Sequence, residues 1–138
     1  MKKHIFLFIG ILLLFTSCET VNEKELLNLN GYWEIENVKA KGETFSPKGA
    51  TTLVDYYFLE KTNKGFKKKL KPSFDQSYES SEDLTSFVII KKEDGFYLQY
   101  NTKFDQWEEK VDAISPTKLV LNHQGKSYHY KRHTKLAF

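Results

Sequence analysis

Few side chains in this sequence have the type and spacing to do chemistry, and the first is Cys18, the only thiol in 138 residues. It stands directly behind Met1-Lys2-Lys3-His4 and the apolar run Ile5 to Phe15, with the small residues Thr16 and Ser17 just before it. A cationic start, an apolar core and small residues ahead of a processing site make up the grammar of an export signal. A thiol placed there is suited to acylation. Once acylated, it leaves no nucleophilic sulfur and no disulfide for the rest of the chain.

The remaining reactive groups are less well placed. His123, His129 and His133 fall within eleven residues, with Tyr128 and Tyr130 among them. His129 and His133, however, are four residues apart on one strand face, about 13 Å in an extended strand, whereas two ligands of one zinc must each approach to about 2 Å. They read as surface histidines, and no metal is expected. Glu108 and Glu109 are adjacent and point to opposite faces, which leaves Glu109 as the inward carboxylate beside Trp107; a bulge in that strand would exchange the two. There is no G-x-S-x-G elbow, no H-E-x-x-H and no Gly-rich phosphate loop. The expectation is a protein that is not an enzyme and uses no cofactor.

Lengths decide how the apolar run behaves. A transmembrane helix needs about 20 apolar residues to cross about 30 Å of hydrocarbon, and this run of eleven is followed at once by Glu19, Asn22, Glu23, Lys24 and Glu25. A signal peptide over residues 1–17 fits better. Phe15-Thr16-Ser17-Cys18 resembles the lipobox of bacterial lipoproteins, with Phe15 where Leu is usual. The resemblance implies that Cys18 carries acyl chains such as palmitate, becomes the first mature residue, and anchors the protein in the cell envelope at the outer membrane.

Removing the signal also changes the charge. Lys and Arg number 21 against 18 Asp and Glu, but Lys2 and Lys3 leave with the signal, so 19 cations against 18 acids leave +1. Nothing in that balance suggests a nucleic-acid partner, which would demand a basic face or stripe. About 120 mature residues suit a single domain that can bury a core without staples. Residues 18–30 read as the lipidated cysteine and a tether, with Leu26, Leu27 and Leu29 to bury. A flexible spacer and a short helical turn packed on the domain edge fit that segment equally.

From Gly31 to the end at residue 138 the pattern is that of β-structure. Trp33 and Ile35 alternate with Glu34 and Glu36, the period-2 signature of a half-buried strand. Eight runs are predicted as strands: Tyr32 to Lys39, Thr51 to Glu60, Gly65 to Lys71, Thr85 to Lys92, Phe96 to Asn101, Lys103 to Ile114, Lys118 to His123 and Lys126 to His133. Turn residues break them, and no helical pattern long enough for a parallel crossover lies between them. Two segments stand apart as loops: Gly42 to Ala50, whose Phe45 could fold inward, and the polar, Ser-rich Lys71 to Asp83. Alternation places Trp33, Ile35, Trp107, Val111, Leu119, Leu121, Tyr128, Tyr130 and Arg132 on inward faces. A closed meander points them at one another and removes the sheet's exposed edges. Eight strands give a barrel whose interior is filled by side chains or holds one small ligand.

Gly31-Tyr32-Trp33 at the start of the first strand resembles the G-x-W motif of the lipocalins, and Arg132 on the last strand matches the arginine that packs across the tryptophan in that family. Gly allows close chain entry, Trp plugs the closed end, and a guanidinium over an indole contributes about 0.5 to 2 kcal/mol. The resemblance implies an all-β fold: a small antiparallel up-and-down, lipocalin-like eight-stranded β-barrel, similar to the short lipocalin-like lipoproteins of Gram-negative bacteria.

Lys64 to Lys71 carries five lysines in eight residues. Such a run can attract anionic head groups, but it reads first as a solvated hairpin whose lysines deter strand addition. An aromatic share of 15% points to a protein that binds a small apolar or amphipathic ligand. Its candidate pocket residues are Trp33, Tyr97, Tyr100, Trp107, Glu109, Tyr128 and Tyr130. The alternative is a filled barrel serving as an accessory subunit of an envelope protein assembly.

Overall fold

Strand alternation in the chain is strong enough to fix which side chains become core. In Gly95–Asn101 the positions Phe96, Leu98 and Tyr100 are buried while Tyr97 and Gln99 between them are not. Each large apolar side chain withdrawn from water contributes about 1.5–3 kcal/mol, so a slip of one residue would expose the whole set. The computed structural model describes residues 20–47, 53–60, 63–72 and 78–134. Cys18 and residues 1–17, expected to be a signal peptide, lie outside the described residues.

Nine strands are described: β1 (Gly31–Ala40), β2 (Glu43–Phe45), β3 (Val54–Leu59), β4 (Lys64–Pro72), β5 (Tyr78–Lys92), β6 (Gly95–Asn101), β7 (Gln106–Ile114), β8 (Lys118–His123) and β9 (Lys126–Arg132). All neighbours are antiparallel, and β1 pairs with β3 on one side and β9 on the other. Eight strands therefore close into a barrel, with β2 attached as an extra strand to the far end of β1.

Three sequence expectations need correction. The segment after β1 is not simply a loop: Lys41 and Gly42 take left-handed backbone angles of φ 50° and 76°, the geometry of a two-residue hairpin turn. That turn lays Glu43–Phe45 back on Val38–Ala40 and leaves Phe45 exposed rather than folded inward. The polar Lys71 to Asp83 segment is largely strand, since β4 runs to Pro72 and β5 begins at Tyr78. Backbone pairing between the two strands outweighs poor side-chain propensity there. Lys103 does not start β7, because Thr102 folds the chain into a turn: its amide donates to the Asp105 carbonyl at 2.8 Å and its hydroxyl accepts from the Asp105 amide at 3.0 Å.

The tether resolves as a short 3₁₀ helix, Glu23–Leu29. Asn22 caps it, its side chain accepting from the Lys24 amide at 2.7 Å while Glu25 accepts from the Asn22 amide at 3.0 Å. Leu26 and Leu29 are buried in the core, and the helix contacts both β3 and β7, which lie on opposite sides of the ring. It thus lies across one end of the barrel and shuts it.

Trp33 and Arg132 complete the closure. The fully buried indole donates from Nε1 to the Leu29 carbonyl at 2.8 Å, and the Arg132 guanidinium carbon sits 3.9 Å from the ring centroid. The same guanidinium donates to the carbonyls of Asn28 (2.6 Å), Asn30 (2.7 Å) and Pro116 (2.9 Å). Partial burial lowers the Arg132 pKa. Gly31, at φ 120°, gives the guanidinium room, since a Cβ there would stand 2.5 Å from Arg132 Nη1.

Arg132→Met should therefore lower unfolding free energy by about 3 kcal/mol, from lost charge-assisted hydrogen bonds and the cation–π contact. Gly31→Ala should cost less once Arg132→Met is present than it does alone, because the two residues compete for one space. Urea denaturation of the four proteins checks both expectations, and strict additivity would contradict the second.

Candidate functional site

The barrel interior is not uniform. From β5 to β8 it is apolar at Ile89, Phe96, Leu98, Ile114 and Leu119, which lie in the core. From β3, β4, β6, β7 and β9 it gathers tyrosines and charges.

Register explains how that polar group assembles. On β3, Asp55 lies opposite Trp33 of β1 and Lys69 of β4, and Tyr57 lies opposite Gly31 and Lys67. Because Trp33 faces inward, Asp55 and Tyr57 must face inward too, and both are buried. Lys67 shares that face and is drawn inside, its side chain 17% exposed. From Tyr57 a run of rings crosses the interior: 6.1 Å to Phe87, 5.7 Å on to Tyr100, and 4.8 Å on to Trp107, where the planes are nearly parallel at 11°. The Lys67 ammonium lies 4.9 Å from the Tyr100 ring centroid and 5.9 Å from that of Tyr57. It also pairs with Glu109 Oε1 at 3.8 Å, and the Trp107 indole donates weakly to the same oxygen at 3.4 Å.

Three polar atoms in this group are buried without a hydrogen bond among the described residues: Asp55 Oδ1, the Tyr57 hydroxyl and the Tyr100 hydroxyl. Lys69 approaches Asp55 Oδ1 only to 3.6 Å, from a side chain that is 59% exposed. Burial pushes the Tyr57 phenol well above its ordinary pKa, helped by Tyr100 and Tyr130 and by the charges of Glu109 and Asp55. It does the same to Tyr100, with the Glu109 charge next in importance. Tyr130 is raised by burial and then by the Asp55 carboxylate. All three remain neutral near pH 7, so each can donate a hydrogen bond.

The sequence candidates distribute unevenly over this geometry. Tyr100, Trp107, Glu109 and Tyr130 come together in the polar group, and Tyr128, opposite Leu121, packs partly buried against the core beside it. The bulge in β7 falls between Val111 and Ala113, beyond Glu109, so Trp107 and Glu109 keep their inward phase. Trp33 belongs to the closed end. Tyr97 is not an interior residue: it lies three positions from Tyr100, hence on the opposite strand face, where its hydroxyl donates to Asp94 at 2.7 Å under Lys92. Asp55, Tyr57 and Lys67 were absent from the candidates. The alternation of Asp55 and Tyr57 against Val54 and Tyr56 was the available signal, but it has no phase until Trp33 supplies one.

The three histidines are dispersed. His123 Nδ1 is 2.9 Å from the Glu108 carbonyl, His129 Nε2 is 2.9 Å from Ser127 Oγ, and His133 pairs with Glu34 at 3.1 Å. Among the described residues no group of three or more His, Cys, Asp or Glu side chains could hold a metal ion.

No family model matches the chain, and no curated protein matches it. Among solved structures it is similar to a lipocalin-like protein from Bacteroides uniformis, at 13% identity and a TM-score of 0.47, covering 77% of this chain and 99% of that one. It is also similar to an uncharacterized protein from Bacteroides eggerthii, at 14% identity and a TM-score of 0.46, covering 76% of this chain and 99% of that one. The closed barrel itself is established by this chain's own strand pairings.

The buried phenols fix a pH dependence. Tyrosines of the unfolded chain ionise near pH 10, while Tyr57, Tyr100 and Tyr130 keep their protons in the folded state. The folded protein then binds more protons, so the stability they confer is complete below pH 10 and declines as pH rises above it. Three such groups give a limiting slope of about 4 kcal/mol per pH unit. Urea titrations from pH 9 to 11.5 should show it, and Tyr57→Phe with Tyr100→Phe should remove about two thirds of it.

Proposed function

We propose that the protein is an envelope lipoprotein, anchored through acylated Cys18, whose lipocalin-like barrel binds a small amphipathic molecule without catalysis. The observation that carries this reading is the trio of buried polar atoms, Asp55 Oδ1 and the Tyr57 and Tyr100 hydroxyls, that make no hydrogen bond of good geometry among the described residues. A buried polar atom without a partner costs about 1–3 kcal/mol, and a bound molecule offering hydrogen-bonding groups removes that cost. The carboxylate calls for a donor, and each phenol can donate to an acceptor. Lys67 neutralises Glu109 within the same space, so a ligand head need not be charged. The Tyr100–Trp107 stack offers a flat apolar surface for its body.

N-phenyl-1-naphthylamine, a neutral amphipath with one N–H donor, is a suitable probe. It should quench Trp107 emission on binding. Tyr57→Phe and Tyr100→Phe should leave the unliganded protein equally stable or slightly more so, because each deletes a buried hydroxyl without a hydrogen bond of good geometry among the described residues, and Asp55→Asn should weaken the probe about threefold to tenfold. Absence of quenching, with partner proteins and no small molecule recovered from the gently extracted protein by mass spectrometry, would replace this reading with the filled accessory subunit.

The anchor has its own test. Cys18→Ser should release the domain from membranes or block its processing. Acyl-bearing membrane association that survives the substitution would refute it.

A further inference from the structure

A barrel wall that faces water on its outer side should carry polar residues at alternate positions. The wall made by β3, β4 and β5 carries apolar or aromatic side chains at most of them. Tyr56 and Phe58 on β3, Phe66 on β4, and Leu84 and Val88 on β5 all sit on the face opposite the interior, with Phe58 40%, Leu84 51% and Val88 40% exposed. The rings are continuous: Tyr56 lies 4.9 Å from Tyr32 of β1 and 6.3 Å from Phe66, which lies 5.3 Å from Phe58. Contiguous apolar surface of this kind marks an interaction site.

Charge indicates what covers it. The same outward rows hold Lys64, opposite Val88, and Lys68, opposite Leu84 and Tyr56. The outward positions between residues 56 and 58, 64 and 68, and 84 and 88 include no carboxylate. Among the described residues neither Lys64 nor Lys68 forms an ion pair, whereas Glu34 on the adjoining β1 is already held by Lys131 at 3.6 Å and His133 at 3.1 Å. Aromatic rings interleaved with unpaired lysines match the chemistry of a membrane interface with anionic head groups.

Position agrees with charge. Phe58, Phe66 and Lys64 lie at the closed end, where the Leu59 amide donates to Asn30 Oδ1 just after the 3₁₀ helix. Cys18 precedes Glu23 by five residues, a reach of at most about 17 Å. We propose that the outer wall formed by Tyr56, Phe58, Phe66 and Val88 with Lys64 and Lys68 docks on an anionic lipid bilayer, so that the barrel lies against the membrane on this side. The placement near the bilayer rests on the acylation of Cys18 proposed above; the composition of the wall does not.

A spin label tests it. The full lipidated chain carrying Ser86→Cys, which lies opposite Phe66 on this face, is labelled and reconstituted in vesicles of phosphatidylcholine with or without phosphatidylglycerol. Lys118→Cys, exposed on the far wall, serves as the control. On anionic vesicles the label at residue 86 should be several-fold more accessible to oxygen, relative to a water-soluble nickel chelate, than the label at residue 118. Lys64→Gln with Lys68→Gln should abolish the difference, since each lysine strengthens attachment about fivefold. Equal exposure of both labels on anionic vesicles would overturn the proposal. So would protection that follows protein concentration rather than lipid charge, which would assign the wall to a second copy of the chain. A second labelled thiol in the mass spectrum would instead strike the anchor, and the same vesicles added to the Cys18→Ser protein would then decide the docking by the same criterion.

Discussion

The barrel depends on one guanidinium. Arg132 takes up three backbone carbonyls from two separate segments, Asn28 and Asn30 at the helix end and Pro116 in the β7–β8 turn, while lying on the Trp33 indole. Carbonyls at the end of a helix and in a turn have no strand partners of their own, and leaving them buried and unpaired would be costly. A single planar donor with a fixed fork geometry satisfies all three at once. Because Arg132 is on the last strand and Trp33 on the first, the contact also closes the ring, so the plug and the closure are the same interaction.

With one end sealed in this way, the interior holds two groups of side chains. Apolar ones from β5 to β8 fill part of it as in any core. β3, β4 and β7 contribute Asp55, Lys67 and Glu109, charges that an enclosed space tolerates only when they offset one another. Lys67 is central to that arrangement, reaching Glu109 and two tyrosine faces together. Neutral phenols and a compensated ion pair leave an interior that is polar without strong net charge, and under the proposed binding role this would favour hydrogen-bond geometry over charge.

Much of this was legible in the sequence. Most strand positions and the inward phase of Trp33, Trp107, Val111, Leu119, Leu121 and Tyr130 follow from alternation, because each burial outweighs any local preference, and the closed meander follows from the exposed edges that an open sheet of those strands would leave. What escaped was of two kinds. Tyr97 and Tyr100 look equivalent as aromatics, and only their odd spacing separates outside from inside. Lys67 was concealed by its neighbours, since five lysines in eight residues read as a solvated run, and nothing local says that one of them crosses to the interior. Asp55 and Tyr57 acquire a direction only through pairing with a distant strand, which is tertiary information. The hairpin of β2 was missed because a turn of Lys41 and Gly42 lacks the Asn-Gly chemistry that usually announces one.

The strand that begins the barrel also carries the ladder that closes it. β1 pairs with β9 from Trp33–Arg132 to Lys39–Ser127, so the first strand meets the last. A pairing between residues so far apart in sequence must overcome the loop entropy of all the chain between them, and folds dominated by such contacts form slowly. Closure therefore carries a cost in chain entropy that the Arg132–Trp33 contact at the end of that ladder helps to offset.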